Sequence, residues 1–271
     1  MRSIGCPTVQ VMGVVNVTPD SFSDGGRYLD HEAALTHARA LVAQGAHWID
    51  VGGESTRPRA DPVTEAEELR RVLPVVEALA AQGVATSIDT RKAGVAEAAV
   101  AAGARMINDV SASLGAVAAA TGAAFVAMHM RGDPTTMQQD PHYDDVVAEV
   151  RDYLVARADA ARSAGVAEVW IDPGIGFGKA LDHNLDLLAN LDVLVGTGYP
   201  VVVGTSRKSM LGQLAARATP GGSAAPASDR LEGSLATAVW AWMRGAAMVR
   251  VHDVGATVRA LGAVEVAAPA A

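Results

Sequence analysis

The chain has 271 residues, of which 50% are apolar and 19% are charged, and its formal net charge is −8. This composition excludes a disordered or fibrous chain and predicts a globular protein with one large core. The acidic balance argues against a protein that grips nucleic acid through a broad basic face. An anionic ligand would therefore need a local cationic pocket.

Targeting signals and cysteine content bear on the compartment. The sequence has no run near the roughly 18 apolar residues of a membrane span, and its N-terminus lacks the pattern of a signal peptide. A single cysteine, Cys6, excludes an intramolecular disulfide and a cysteine-rich metal site. These features predict a cytoplasmic protein.

Short runs rich in Val, Ile and Met alternate with alanine-rich stretches of helical period, which is typical of parallel strands joined by crossover helices. In chain order the predicted strands are residues 9–16, 48–52, 85–89, 106–110, 124–129, 169–172, 201–205 and 248–252. After the first strand, Leu35, Ala38, Leu41 and Val42 form an apolar stripe. Glycines that follow helical stretches, where a left-handed cap suits glycine, are Gly45, Gly83, Gly103, Gly122, Gly165, Gly198 and Gly245.

Eight strands and a length near the roughly 250 residues typical of the fold predict an α/β protein, a TIM (β/α)8 barrel forming a single domain over residues 1–271. An open doubly wound sheet is the alternative. It is disfavoured because no G-x-G-x-x-G follows the first strand and because polar residues end nearly every strand. These strand-end residues are Asn16, Asp50, Asp89, Asn108, His129, Asp172, Ser206 and His252. Residues 218–228 and 264–271 are predicted to be a flexible loop and a frayed tail.

Three of the strand ends predict a ligand site, because a barrel carries its active site at the carboxyl ends of its strands. Asp89, Asn108 and Asp172 supply acceptors and one amide, which suit a buried planar heterocycle with several N–H donors. Each of them alone would be explained as a helix N-cap or an Asx turn. Their occurrence at three strand ends favours ligand binding.

Lysine is rare in this chain. Of the 22 lysines and arginines, only Lys92, Lys179 and Lys208 are lysines, and each lies at or just after the end of a predicted strand. A lysine kept beside a barrel mouth indicates a need for a compact ammonium group rather than a guanidinium. Lys208, in the segment GTSRK, is the strongest candidate, whereas chance is the preferred explanation for Lys92 at the start of a helix.

Arg250 and His252 alternate on the eighth predicted strand, so their side chains point to the same side. Together with Asn16 and residues 56–58 they would form a clamp for phosphate or pyrophosphate. The alternative is an ion pair of Arg250 with Asp253 or with a neighbouring carboxylate.

Metal chemistry has less support, because the seven histidines are scattered and no H-E-x-x-H segment occurs. Asn16 and Asp24 together with a pyrophosphate would suit Mg²⁺, which favours oxygen ligands and retains waters. His129 is predicted to be a hydrogen-bonded structural histidine.

Two glycine-rich segments, residues 18–26 and 172–179, are candidate lids because each follows a predicted strand. Two of the three phenylalanines, Phe22 and Phe177, lie in them. A ring in such a loop would suit stacking on a flat ligand, and partial burial beneath the loop is an equal alternative.

Short segments, taken in order along the chain, resemble the dihydropteroate synthase family. They are GVVNVTPDSFSDG (residues 13–25), GESTRP (53–58), SIDT (87–90), INDV (107–110), DPGIGFGK (172–179), SRK (206–208) and RVHD (250–253). The similarity extends from Met12 to Val254, and the number and order of the segments make coincidence implausible.

The resemblance implies a TIM-barrel transferase of folate biosynthesis that is a target of sulfonamides. Such an enzyme would join 6-hydroxymethyl-7,8-dihydropterin pyrophosphate to 4-aminobenzoate through a carbon–nitrogen bond, giving 7,8-dihydropteroate and pyrophosphate. The family also implies a homodimer, which would form through the last helices, including Trp240, Trp242 and Met243.

The resemblance assigns site residues by motif. The pterin would bind to Asp89, Asn108, Asp172 and Lys208, with its pocket lined by Met128 and Phe177. The pyrophosphate would bind to Asn16, Thr56, Arg250 and His252, of which Asn16 would also contact Mg²⁺. The aminobenzoate subsite would be shaped by Phe22, Arg57, Pro58, Lys208 and Ser209. The residues expected to act in catalysis are Asn16, Asp24, Arg57, Lys208, Arg250 and His252, with Asp24 in a loop that closes over the departing pyrophosphate.

One departure from the family pattern is Arg59, where glycine is more usual, and it bears on how the second loop closes. A related alternative is an enzyme that transfers a methyl group from a folate to a corrinoid protein. It is disfavoured because methyl transfer has no pyrophosphate to hold, and the segments SRK and RVHD are retained. A non-catalytic paralogue should have lost parts of the segments TRP (56–58), FGK (177–179) or SRK (206–208), and all three are present.

Overall fold

Eight strands lie at the centre of the structure, a computed structural model that describes residues 9–18, 27–55, 62–133, 136–218 and 222–267. The strands are β1 (Gln10–Asn16), β2 (Trp48–Gly52), β3 (Thr86–Asp89), β4 (Met106–Asp109), β5 (Ala124–Met128), β6 (Val169–Asp172), β7 (Val202–Val203) and β8 (Met248–Val251). The helices of the described residues are α1 (Arg27–Ala43), α2 (Glu65–Ala81), α3 (Ala93–Ala101), α4 (Gly115–Thr121), α5 (Val146–Ser163), α6 (Leu181–Ala189), α7 (Leu191–Val195), α8 (Ser209–Ala218), α9 (Leu231–Met243) and α10 (Val254–Ala267).

The strands are parallel and form one sheet in the order β6-β5-β4-β3-β2-β1-β8-β7. The two ends of this order are joined by a parallel bridge between Ile171 and Val201 and by a 3.0 Å hydrogen bond from the Ile171 N–H to the Pro200 carbonyl. The sheet thereby closes into a barrel with a helix after each strand. The prediction of a TIM barrel rather than an open sheet is confirmed.

The seventh strand is shorter than predicted. The other strands match their predicted ends to within one residue, but β7 contains only Val202 and Val203 of the predicted residues 201–205. The chain leaves the sheet because it must turn toward α8, and Arg207 in that turn has a left-handed backbone with φ 59°. The turn brings residues 204–208 to the barrel mouth.

Two apolar layers hold the barrel together. Its interior is filled by Met12, Met106, Ala124, Val126, Trp170, Val202 and Met248. A larger cluster lies between the outer side of the sheet and the helices, and it includes Ile49, Ile107 and Leu41. Met106 points inward and Ile107 outward because successive side chains of a strand face opposite sides.

The stripe predicted for α1 is partly wrong. Leu35, Ala38 and Leu41 are buried, but Val42 is 37% exposed. Val42 lies about 100° around the helix from Leu41, which takes it off the face that contacts the barrel.

The glycines predicted to cap helices all have a positive φ. The segment predicted as a flexible loop begins at Ala218, the last residue of α8, and its residues 222–228 form neither helix nor strand. α10 continues to Ala267, four residues into the segment predicted to fray, and residues 268–271 lie outside the described part. None of the helices described is both long and apolar enough to span a bilayer.

Candidate active site

Four polar side chains from four strands meet at the carboxyl end of the barrel. Arg250 of β8 donates from Nε to Asp50 Oδ2 at 2.6 Å and from Nη2 to Asp89 Oδ2 at 2.7 Å. Asn108 of β4 donates from Nδ2 to Asp50 Oδ2 at 3.0 Å. Arg250 therefore makes the ion pair with neighbouring carboxylates that the sequence left as an alternative, and this pair lies among the residues predicted to bind the heterocycle.

The charges of this group are coupled. Burial raises the pKa of Asp89 to about 7, against the opposing effect of the Arg250 guanidinium. Burial would lower the pKa of Arg250, but the Asp50 and Asp89 carboxylates outweigh it and raise that pKa. Arg250 therefore stays charged, and Asp89 can gain a proton near neutral pH.

Asp172 supplies a further acceptor from the end of β6. It is 5% exposed, and its Oδ1 accepts the Gly174 N–H at 2.7 Å. Burial raises the pKa of Asp172, and the Lys208 ammonium opposes that rise. Oδ2 has no hydrogen-bond partner among the described residues, so it is available to a ligand donor.

Lys208 lies between β7 and α8 and is half-buried. Its Nζ donates to the carbonyl of Ile175 and lies 4.6 Å from the centroid of the Phe177 ring, a cation–π contact. Burial lowers the pKa of Lys208 to about 8, although the negative charges of Asp172 and Asp89 act the other way. The ammonium is thus held at the mouth by the loop that follows β6.

The segment SRK is fastened to the segment RVHD by side chains. Ser206 Oγ accepts the His252 backbone N–H at 3.1 Å and lies 3.0 Å from His252 Nδ1. Arg207 donates from Nε to Asp253 Oδ2 at 3.0 Å and also bonds to Oδ1. These contacts fix His252 beside the turn that carries Lys208.

The loop after β6 is held by several side chains. Tyr143 Oη donates to the Gly178 carbonyl at 2.8 Å, and Asn184 Oδ1 accepts the Gly176 N–H at 2.6 Å. Lys179 Nζ bonds to two further carbonyls of the loop at 3.0 Å each. This bonding disagrees with the prediction of a flexible lid for residues 172–179, because most of the loop's polar groups already have partners.

The fold and this mouth can be compared with known proteins. The family described as "Pterin binding enzyme" matches residues 12–252. Dihydropteroate synthase of Escherichia coli (strain K12) is 49% identical over 262 residues, which cover 94% of this chain and 90% of that protein.

The chain belongs to the dihydropteroate synthase family.

Solved structures of this family agree. Xanthomonas albilineans dihydropteroate synthase with 4-aminobenzoic acid has a TM-score of 0.89 and 47% identity, covering 97% of this chain and 94% of that chain. The structure of that enzyme with 7,8-dihydropteroate has a TM-score of 0.85 and 45% identity, covering 97% and 95%. The family, the enzyme class and the activity predicted from the motifs are confirmed.

Several residues assigned through the family lie at the mouth. Asn16 ends β1, and its Oδ1 would lie 3.6 Å from a Cβ built on Gly52. Met128 is buried at the end of β5, and Ser209 is the exposed first residue of α8. The assigned or singled-out residues that lie outside the described residues are Phe22, Asp24, Thr56, Arg57, Pro58 and Arg59.

Sequence reasoning gave no role to Asp50, which joins Arg250 to Asn108. Asp50 is fully buried, and its Oδ1 has no hydrogen-bond partner. The sequence did contain a signal, because an acidic residue inside the apolar run WIDVG has to be buried with a partner. The partner, Arg250, is 200 residues away along the chain, so it cannot be identified from the sequence around Asp50.

The explanation of Lys92 by chance is wrong. Its Nζ bonds to Glu54 Oε2 at 2.8 Å and to the fully buried Glu68. Glu54 also accepts from the Val63 N–H at 3.1 Å, and Arg91 Nε lies 3.2 Å from its Oε2. These charges link β2, α2 and the start of α3, so Lys92 has a structural role beside the second loop.

Proposed function

We propose that this chain joins 6-hydroxymethyl-7,8-dihydropterin pyrophosphate to 4-aminobenzoate and releases 7,8-dihydropteroate and pyrophosphate. The observation that carries the proposal is the convergence of Asp89, Asn108 and Asp172 with the Lys208 ammonium at one barrel mouth. The X. albilineans relative holds 4-aminobenzoic acid in one structure and 7,8-dihydropteroate in another.

Pterin recognition follows from the donors and acceptors of the mouth. The aminopyrimidinone edge of a pterin offers N–H donors beside a carbonyl oxygen, so Asp172 and Asn108 accept while Lys208 donates. Asn108 already uses Nδ2 on Asp50, which leaves its Oδ1 for the pterin. Asp89 completes the set, and Met128 and Phe177 line the pocket. Leaving a buried carboxylate without a hydrogen-bond donor costs on the order of several kcal/mol of stability. The site therefore favours a ligand that brings donors.

Through the family pattern we assign the pyrophosphate side of the site to Asn16, Arg250 and His252 and to Thr56, which lies outside the described residues. Mg²⁺ fits this set, because Asn16 offers a hard amide oxygen and a pyrophosphate with waters supplies the rest. No group of three His, Cys, Asp or Glu side chains suited to a metal occurs within the described ranges. Asn16 is the protein ligand that we assign through the family pattern, and Mg²⁺ would supply positive charge to the leaving oxygens when bound.

Through the family pattern we assign the 4-aminobenzoate subsite to Lys208 and Ser209 and to three residues outside the described part of the chain, Phe22, Arg57 and Pro58. Lys208 and Phe177 are in contact, so the pterin pocket and this subsite share one wall. Asp24, which also lies outside the described residues, is assigned through the family pattern to a loop that would close over the leaving group.

The reaction proceeds by a dissociative path. The bond between the pterin methylene carbon and the pyrophosphate oxygen breaks first, and the bonding electrons leave with the pyrophosphate. Arg250, His252 and Asn16 stabilise the charge that develops on it. The neutral arylamine nitrogen then attacks the methylene cation, forming the carbon–nitrogen bond, and releases one proton to solvent water. No strong general base is needed, because an aromatic amine is nucleophilic when neutral.

The deciding experiment supplies purified protein with Mg²⁺ and the pterin pyrophosphate, with and without 4-aminobenzoate. Pyrophosphate release and dihydropteroate, separated by chromatography, are measured. We expect a product that requires both substrates. Absence of product in spite of measurable pterin binding would contradict the proposal and would favour methyl transfer to a corrinoid protein or a regulatory role.

The Lys208 ammonium predicts a pH profile. Its pKa of about 8 means that the cation is present below this pH and is lost above it. We expect kcat/KM for the pterin pyrophosphate to fall about tenfold per pH unit above pH 8, since kcat/KM reports groups of the free enzyme. The matched variant is Lys208→Arg, whose cation persists, so its profile should be flat in this range at a lower rate. An unchanged alkaline limb in this variant would contradict the assignment.

The Asn16 assignment predicts a change in metal dependence. We expect EDTA to abolish turnover of the wild type and added Mg²⁺ to restore it. In Asn16→Ala the Mg²⁺ concentration that gives half-maximal rate should rise by about tenfold, the effect of losing one oxygen ligand of a weakly held ion. Turnover that persists in EDTA would contradict the role of Mg²⁺.

We also propose a homodimer, a cytoplasmic location and binding of sulfonamides in the aminobenzoate subsite. The dimer would use the exposed side of α9, where Trp240 is 42% exposed and Met243 is 48% exposed. Trp242 is only 3% exposed, so it is buried within the chain and does not belong to that exposed side. A light-scattering mass equal to one 27.8 kDa chain would reject the dimer.

A further inference from the structure

The loop after β6 ends in a buried lysine that none of the proposed ligand contacts uses. Lys179 is 3% exposed. Its Nζ lies 2.9 Å from His129 Nδ1, 3.3 Å from the His129 carbonyl and 3.0 Å from the carbonyls of both Gly174 and Phe177. No ion-pair partner of Lys179 occurs among the residues that the structure describes. Its neighbours are therefore backbone carbonyls and one imidazole.

Burial disfavours charge on both side chains here, whereas the contacts of Lys179 Nζ with the Gly174 and Phe177 carbonyls depend on its N–H donors. Burial lowers the pKa of Lys179 well below its ordinary value. Burial and the nearby lysine together lower the pKa of His129 to about 3, so its imidazole is neutral. A methionine of similar length would avoid the cost of burying an amine. Methionine at position 179 would lack only the N–H donors. These donors are what the surrounding carbonyls bind.

Close backbone contacts fix where the loop after β6 lies against the residues that follow β5. A Cβ built on Gly174 would lie 1.8 Å from the His129 carbonyl oxygen, and one on Gly178 would lie 2.3 Å from the Arg131 carbonyl oxygen. Both glycines have positive φ, 64° and 62°. The loop backbone therefore lies directly on the backbone of residues 129–131, where only glycine fits. Lys179 joins the same two segments from the interior.

Lys179 binds the carbonyls of Gly174 and Phe177, and the same short stretch of the loop, residues 174–177, makes its contacts with the ligand site. The Gly174 N–H bonds to Asp172, and the Ile175 carbonyl accepts from Lys208. The Phe177 ring lies 4.6 Å from Lys208 Nζ. A shift of the loop would consequently move the partners of both Asp172 and Lys208.

We propose that Lys179 is a positioning residue, which holds the Gly174 and Phe177 carbonyls to the end of β5 and so fixes the loop against Asp172 and Lys208. This inference rests on the proposed function, because it concerns the same pterin pocket. Lys179 itself touches no substrate. It acts through the loop.

The test compares Lys179→Met, which removes the donors at similar length, with Lys179→Gln, which keeps a shorter donor. Calorimetric titration with 6-hydroxymethyl-7,8-dihydropterin pyrophosphate gives the Kd of each. We expect Lys179→Met to raise the Kd by about tenfold or more, the effect of displacing hydrogen bonds to charged groups. Lys179→Gln should lie between this variant and the wild type. The alkaline limb of kcat/KM should also move above pH 8 in Lys179→Met, because a displaced loop leaves Lys208 more hydrated.

The control is Leu79→Ala, which opens a cavity on α2 away from the loop and lowers stability without touching Asp172 or Lys208. Its Kd and pH profile should equal those of the wild type at temperatures where it is folded. If Lys179→Met does not fold, Lys179→Gln against this control gives the same comparison.

Two results would overturn the inference. The first is a folded Lys179 variant with wild-type Kd and an unchanged alkaline limb. The second is a weaker affinity that Leu79→Ala shares, since that would mark a general loss of stability. A wild-type protein that fails to bind the pterin pyrophosphate would instead reject the proposed function, and the inference with it.

Discussion

Asp172→Asn is expected to lower kcat/KM for the pterin pyrophosphate by about 10³-fold, because the new amide presents a donor where the ligand's N–H needs an acceptor. Asparagine keeps the volume of the side chain and the acceptor that the Gly174 N–H uses at 2.7 Å. The fold of the loop should therefore survive. Steady-state kinetics and calorimetric titration with the pterin pyrophosphate measure the effect, and the Kd should rise with the loss of rate.

The control for this change is Asp182→Asn on the surface of α6. Asp182 is 74% exposed and forms an ion pair with Arg217 at 3.1 Å, an interaction of little energetic weight. Its kinetics should equal those of the wild type. The thermal unfolding temperature of Asp172→Asn should not fall at neutral pH, because the variant removes a carboxylate whose burial raises its pKa. A well-folded Asp172→Asn protein with wild-type kinetics would contradict the pterin site.

Asp50→Asn is expected to lower kcat/KM by about 10- to 100-fold, the range for lost hydrogen bonds to charged groups. Asp50 Oδ2 accepts from Arg250 Nε at 2.6 Å and from Asn108 Nδ2 at 3.0 Å. A neutral amide there carries no charge to balance the guanidinium, and it replaces one carboxylate oxygen with an NH₂ group that cannot accept from Arg250 or Asn108. Both Arg250 and Asn108 should lose their alignment, so binding of the pterin pyrophosphate and turnover should weaken together.

A double-mutant cycle with Arg250→Ala separates this effect from a loss of stability. If Asp50 acts by orienting Arg250, Asp50→Asn should cost much less in the Arg250→Ala background than in the wild type. The matched control is Ser87→Ala, since Ser87 pairs with Asp50 in the register of β2 and β3, is fully buried and has no partner for its Oγ. It should leave kcat/KM unchanged. Fully additive losses in the cycle would contradict the positioning role.

The barrel could be predicted because its signals are local. Alternation of apolar runs with helical stretches, and the glycines that follow seven of the helices, depend on neighbours within a few residues. The seventh strand was the exception, because the chain leaves the sheet after Val203 and turns at Arg207 toward α8. Val42 was misassigned for a similar reason, since only the direction in which α1 approaches the barrel decides where its buried face ends.

The residue types of the site could also be predicted. Asp89, Asn108 and Asp172 stand at strand ends, and parallel strands of a barrel bring such ends to one mouth. The hydrogen-bond and ion-pair partners of the site residues could not be predicted from the sequence. Asp50 was missed as a partner of Arg250, and Lys92 was explained by chance although it bonds to Glu54 and Glu68.

The sequence by itself determined the barrel, the family and the polar residues at the strand ends, because periodicity and motifs are properties of short stretches of chain. Only the tertiary structure decided how these groups are paired. It placed Arg250 between Asp50 and Asp89, and it placed Lys179 under the loop that meets Lys208. The physical reason is that a buried charge or donor must be satisfied by whichever group the closed barrel brings near, and that group is set by strand order and register rather than by distance along the chain.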